Sequence, residues 1–228
     1  MNTLGRREPS DWRHVELYPM RALAAAEQPR SQAVVLGTNW YASMMRPYLK
    51  LNNEWWFRED NLGRNLGGHA TCLRPDRVTD YGTWWEFYHQ KDRNACVGFA
   101  CARSRSLVER RRYDANWIYD RALEIDEWPG EDDEGTSLRA GFQVMKNTGV
   151  RRANTGAISQ DESISAYRWL RSVDEIRAVL DSPSNDARQA VRLMSSWGRD
   201  FPHFIWLPYT LLERLLNEDG EAATGTPR

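Results

Sequence analysis

A single domain mixing strands and helices is the fold class the sequence predicts, and three observations predict it. Short apolar and aromatic runs of strand type fall between Ala33 and Tyr88, whereas the longest stretches with helical spacing follow, between Ala95 and Thr148. The 228 residues are 41% hydrophobic and include 11 tryptophans, enough to build one sizeable core. Neither an internal repeat nor a linker divides them, so one domain is expected over 1–228.

Residues 1–31 are polar and broken by Pro9, Pro19 and Pro29, which predicts an irregular arm. Ala33-Val34-Val35-Leu36-Gly37 reads as a buried strand, and Trp40 to Lys50 as a short helix. Glu54 to Arg58 is aromatic and strand-like. Asn61 to Gly68 carries three glycines and two asparagines and predicts a loop. His69 to Val78 and Thr83 to Tyr88 read as extended. Ala95 to Arg111 is helical, apolar early and charged late. Asp114 to Ile125 places Trp117, Ile118, Ala122 and Ile125 at helical spacing. Asp126 to Gly135 is an acidic loop. Ser137 or Thr136 caps a helix from Leu138 to Thr148 that Gly149 closes. Ser172 opens a further helix with Glu175 at the capping-box position. Ala190 to Met194 is strand-like, Pro208 to Leu216 an amphipathic helix, and 217–228 a small, polar, disordered tail.

The net charge is −1, so no basic excess exists to neutralise phosphates, and neither nucleic acid nor an anionic membrane is the expected partner. The run Arg110-Arg111-Arg112 is most simply a solvated helix face. No stretch approaches the ~20 apolar residues of a membrane span, and the N-terminal residues lack the apolar segment of a secretory signal. Three cysteines make no disulfide framework and suit a reducing compartment. A cytoplasmic protein is the expectation.

The chemistry centres on Cys96. It begins the apolar helix Cys96-Val97-Gly98-Phe99-Ala100-Cys101, where unpaired N–H groups and the helix dipole favour a thiolate. Gln90, six residues upstream, carries an amide able to donate to an oxyanion. A thiol nucleophile also needs an imidazole. Of the four histidines, His69 is the best placed, because Gly67 and Gly68 before it permit close backbone approach and a strand start would fix its ring.

Together with Ser196-Trp197-Gly198, these strings resemble the papain-like cysteine peptidases, and bacterial and phage members in particular. The resemblance implies an α+β fold: a helical half led by the nucleophile helix, packed on an antiparallel sheet or barrel half that carries the histidine. It implies that Cys96 is the nucleophile, His69 the base and Gln90 the oxyanion donor. It implies that the residue at 195 orients His69 and that Trp197 shields that contact. The matching pieces span roughly 33–216.

Two departures stand out. His69 precedes Cys96, the reverse of the family's order, and Val34 to Tyr41 resembles a stretch that normally follows the helical half; both are read as a circular permutation. Ser195 stands where the family has asparagine. The implied function is therefore a thiol hydrolase acting on a peptide or protein substrate. A weakened or inactive papain-shaped binding or structural module, and a cell-wall peptide amidase, stand as alternatives.

Plainer accounts compete for several residues. Cys72 and Cys101 are expected in the core. A zinc site built on His69, Cys72, Cys96 and Cys101 is disfavoured, since residues five apart on a helix diverge by about 140°, and no cofactor is expected. The carboxylates from Asp126 to Glu134 lack calcium-loop spacing. The pairs Trp55-Trp56 and Trp84-Trp85 each put one ring inward and one outward.

Overall fold

A computed structural model describes residues 32–50, 52–75, 87–128 and 135–228. The arm expected over 1–31, the pair Trp84-Trp85 and most of the acidic loop lie outside them. Ten strands and six α-helices are found among the described residues. The strands are β1 (Val34–Tyr41), β2 (Tyr48–Leu49), β3 (Trp55–Trp56), β4 (Asn65–Arg74), β5 (Val150–Arg151), β6 (Ile158–Ser159), β7 (Ile164–Leu170), β8 (Ala190–Met194), β9 (Phe204–Pro208) and β10 (Glu221–Pro227). The helices are α1 (Cys96–Glu109), α2 (Ala115–Leu123), α3 (Leu138–Asn147), α4 (Val173–Leu180), α5 (Pro183–Arg188) and α6 (Tyr209–Asn217). This is a mixed α and β structure built on one eight-stranded sheet, ordered β2-β3-β9-β8-β4-β1-β10-β7. Every pairing in that sheet is antiparallel except β3 with β9.

Side-chain alternation on β1 gives the sheet two buried faces. Val35 turns to one core with Ala70, Phe99, Ile118, Phe142 and Met145, beneath α1, α2 and α3. Val34 and Leu36 turn to the other with Leu73, Ile176, Leu180 and Leu212, beneath α4 and α6. No helix among the described residues is long and apolar enough to cross a membrane.

Caps follow the sequence signals. Ser137 Oγ accepts the Ala140 N–H at 3.1 Å, and Gly149 takes φ 105° just past α3. Ser172 Oγ accepts the Glu175 N–H at 3.2 Å, while Glu175 reaches back to the Arg171 N–H at 2.6 Å. Helices α1 and α2 cross closely at Gly98, where an added Cβ would lie 2.4 Å from Ala115 O and 2.7 Å from Tyr119 Cβ. Backbone stands on one side of that gap and cannot swing aside. Gly98→Ala is therefore expected to cost about 1–3 kcal/mol, read as a lower denaturation midpoint at unchanged slope.

Three expectations are corrected. Trp40 to Lys50 is not a helix: β1 runs on to Tyr41, and only a four-residue 3-10 turn, Ala42–Met45, follows. The period-two alternation of Val34, Leu36, Thr38 and Trp40 prevails there. The loop expected over 61–68 gives way to β4 from Asn65, so Gly67 and Gly68 lie within a strand. The disordered tail expected over 217–228 is instead the end of α6 followed by β10, which sits between β1 and β7.

Candidate active site

Strand β4 carries His69 and lies against α1. Thr38 of β1 pairs directly with His69. On the other side β4 pairs with β8 as far as Cys72 opposite Met194. Beyond that point Thr71 Oγ1 donates to Met194 O at 2.9 Å and holds the strands together. The same register carried onward sets Ser195 across from Thr71 and Trp197 across from His69. The rings agree: Trp197 stacks on the His69 imidazole with centroids 4.6 Å apart and planes 23° apart.

Gln90 arrives beside Trp197 through a short backbone pairing. The Gln90 N–H donates to Ser196 O at 2.9 Å, the Gly198 N–H donates to Tyr88 O at 3.0 Å, and His89 bridges to Trp197. A tight turn follows, with Lys91 at φ 54° and the Arg93 N–H returning to Gln90 O. That turn delivers the chain to Cys96, the first residue of α1. No side chain caps this helix, since Ala95 has nothing to offer. The Gln90 amide is loosely held: Nε2 donates to Arg93 O at a long 3.4 Å, and the buried Oε1 has no partner.

Burial pushes the Cys96 thiol above its usual range, and the backbone N–H groups of Ala70, Val97 and Cys96 itself oppose that shift. The Ala70 contact sets the thiol in the core of Val35, Ala70 and Phe99, while the ring of His69, the adjacent residue along β4, packs with Trp40 and Trp197 of the other core. Burial alone pushes the His69 imidazole down to about 4. At neutral pH the thiol and the imidazole are therefore both uncharged, and no hydrogen bond joins them among the described residues. The His69 ring has no hydrogen-bond partner among the described residues. Ser195 Oγ is buried and equally without one.

Helix α1 is tied to this neighbourhood by Arg103, which is fully buried. Its Nη2 donates to Ser195 O at 3.1 Å, and its guanidinium lies 4.8 Å from the Tyr88 ring. Beside Trp197, where Phe201 meets its ring edge-on at 4.7 Å, opens a groove of about 490 Å³ lined by Met45, Trp55, Phe87, Arg199 and Phe201 among others.

Comparison with family models, with curated proteins and with solved structures returns no significant match.

Of the sequence's candidates, His69 and Trp197 meet by ring stacking and Gln90 joins Ser196 and Trp197 through backbone pairing, while Cys96 packs with the Val35 and Phe99 core and Ser195 makes no side-chain hydrogen bond. Cys72 and Cys101 lie in the core, as free thiols like Cys96. Sequence reasoning missed Trp40, which meets the His69 ring at 4.7 Å and the Trp197 ring at 5.3 Å. Its two-residue spacing from Thr38 was the available signal. Arg103 was missed because a charged helix position reads as solvated.

Proposed function

We propose that the chain is a thiol hydrolase of papain-like design, circularly permuted, acting on amide bonds of a peptide or protein. The single observation that carries this reading is the convergence, on Trp197, of the His69 ring and the Gln90 backbone segment that leads into Cys96. Spatial roles rather than chain order define such a site.

In the proposed reaction the Cys96 sulfur attacks the substrate carbonyl carbon while its proton passes to His69. The carbonyl oxygen becomes an oxyanion, held by the Gln90 side-chain amide and the Cys96 N–H. Collapse of that intermediate expels the amine, which takes the proton from the His69 imidazolium and leaves an acyl-thioester on Cys96. Water then attacks the thioester with His69 as base, and the free acid departs with the thiol restored. The groove beside Trp197 offers the substrate chain a place to lie.

A second reading is favoured by one feature: Ser195 Oγ makes no hydrogen bond, so His69 lacks a polar tether. On that reading the chain is a weakened or inactive binding module of the same shape. A panel of fluorogenic peptides and peptidoglycan-type amides separates the two. The proposal expects cleavage by the wild type and none by Cys96→Ala. It also expects Ser195→Asn to raise turnover about ten-fold, the worth of roughly one good hydrogen bond to a charged group. No cleavage of any substrate by either the wild type or Ser195→Asn would favour the binding module instead.

A further inference from the structure

We propose that Trp40 is a positioning residue for His69, fixing the imidazole by an aromatic clamp in place of a polar tether, since Ser195 Oγ makes no hydrogen bond. This rests on the reading of His69 as the base. The imidazole is held from both neighbouring strands. Trp197 stacks over one face at 4.6 Å, and Trp40 approaches at 4.7 Å with its plane turned by 60°. The two indoles also touch each other, centroids 5.3 Å apart at 76°, so the three rings form one packed group.

The local backbone makes this arrangement possible. Thr38 stands opposite His69, and a register shift between Asn39 and Tyr41 brings Trp40 over the end of β4. The β4 residues there are Gly67 and Gly68, which put no side chain between the indole and the imidazole. Gly67 has φ 109°, a conformation that side-chain-bearing residues rarely adopt. Trp40 is itself fixed, being buried and backed by Phe57, whose ring meets it edge-on at 5.4 Å. Its indole Nε1 is buried with no partner among the described residues. The contact to His69 is therefore one of ring packing, and a phenyl ring should perform the same task.

The test is the rate of Cys96 alkylation by iodoacetamide at neutral pH, mapped by mass spectrometry, in the wild type, Trp40→Phe, Trp40→Leu and Leu215→Ala. Leucine keeps apolar volume but removes the ring. Leu215, buried in the same core on α6, controls for lost stability. Trp40→Leu should slow alkylation about ten-fold, the upper worth of an aromatic pair, while Trp40→Phe stays within about two-fold and Leu215→Ala is unchanged. An unchanged rate in Trp40→Leu overturns the role of Trp40. So does equal loss in Trp40→Phe, or a matching loss in Leu215→Ala. A wild type that reacts no faster than the denatured chain overturns the reading of His69 as base, and this inference with it.

Discussion

Deletion of residues 221–228 is expected to abolish cooperative folding. Strand β10 pairs with β1 through Val35–Ala223 and Leu36–Ala222 on one side, and with β7 through Ala222–Leu170 to Pro227–Ile164 on the other. Ala222 belongs to one core and Ala223 to the other. Thr224 Oγ1 donates to Ala33 O at 3.0 Å, a further link to the chain entering β1. Removing the strand detaches β7, exposes a row of β1 backbone groups and opens both cores to water. Each buried backbone group left unpaired costs about 1–3 kcal/mol, and a few such losses match the whole stability of a typical domain, about 5–15 kcal/mol. Far-ultraviolet circular dichroism on heating should show no sigmoidal transition in the truncated chain. A transition within a few degrees of the full chain would mean that β10 is dispensable.

His69→Ala is expected to lower turnover of amide substrates by about 10²–10⁴-fold, the usual contribution of a positioned acid–base group. The thiol should keep its place, because the Ala70 N–H that reaches it is backbone. The fold should survive as well, since the imidazole gives up no hydrogen bond. The loss should therefore appear in kcat more than in KM. Steady-state kinetics on the best substrate of the peptide panel reads the split. A change of less than about five-fold, against the range expected of an acid–base residue, would remove His69 from the reaction.

The elements that the sequence disclosed are those whose local signals and tertiary surroundings agree. Helix α3 has its Ser137 cap, its periodic apolar face and its closing Gly149, and all three appear where expected. Helix α1 starts at Cys96, as the apolar run implied. Strand β10 was illegible because Glu221-Ala222-Ala223-Thr224-Gly225-Thr226-Pro227 has weak strand propensity, and its small side chains reflect tight cover instead. A Cβ on Gly225 would lie 2.6 Å from Ile164 Cγ2. Tertiary context outweighs propensity at such a position. Within the site, the residue types that carry chemistry were visible, but their company was not. Trp40 and Arg103 reach the site through the β1–β4 register and through burial of one helix face, and neither is encoded in local spacing.

The measurement that bears most closely on Cys96 as a thiol activated by His69 is the pH dependence of its alkylation in the native chain, in His69→Ala and in the denatured chain. Cys72 and Cys101 are buried, so mapping isolates the Cys96 rate. With the imidazole pushed down to about 4, the base is free throughout the neutral range. Burial holds the native thiol above its usual range. A native rate above the denatured rate at pH ~6–7, below the ordinary thiol pKa of ~8.5, therefore requires His69 to take the proton as the sulfur attacks, and that excess is the expected result. In His69→Ala that excess should vanish and leave only the alkaline rise set by burial of the thiol. A native rate that rises only at alkaline pH, stays below the denatured rate at neutrality and ignores His69→Ala would contradict the account.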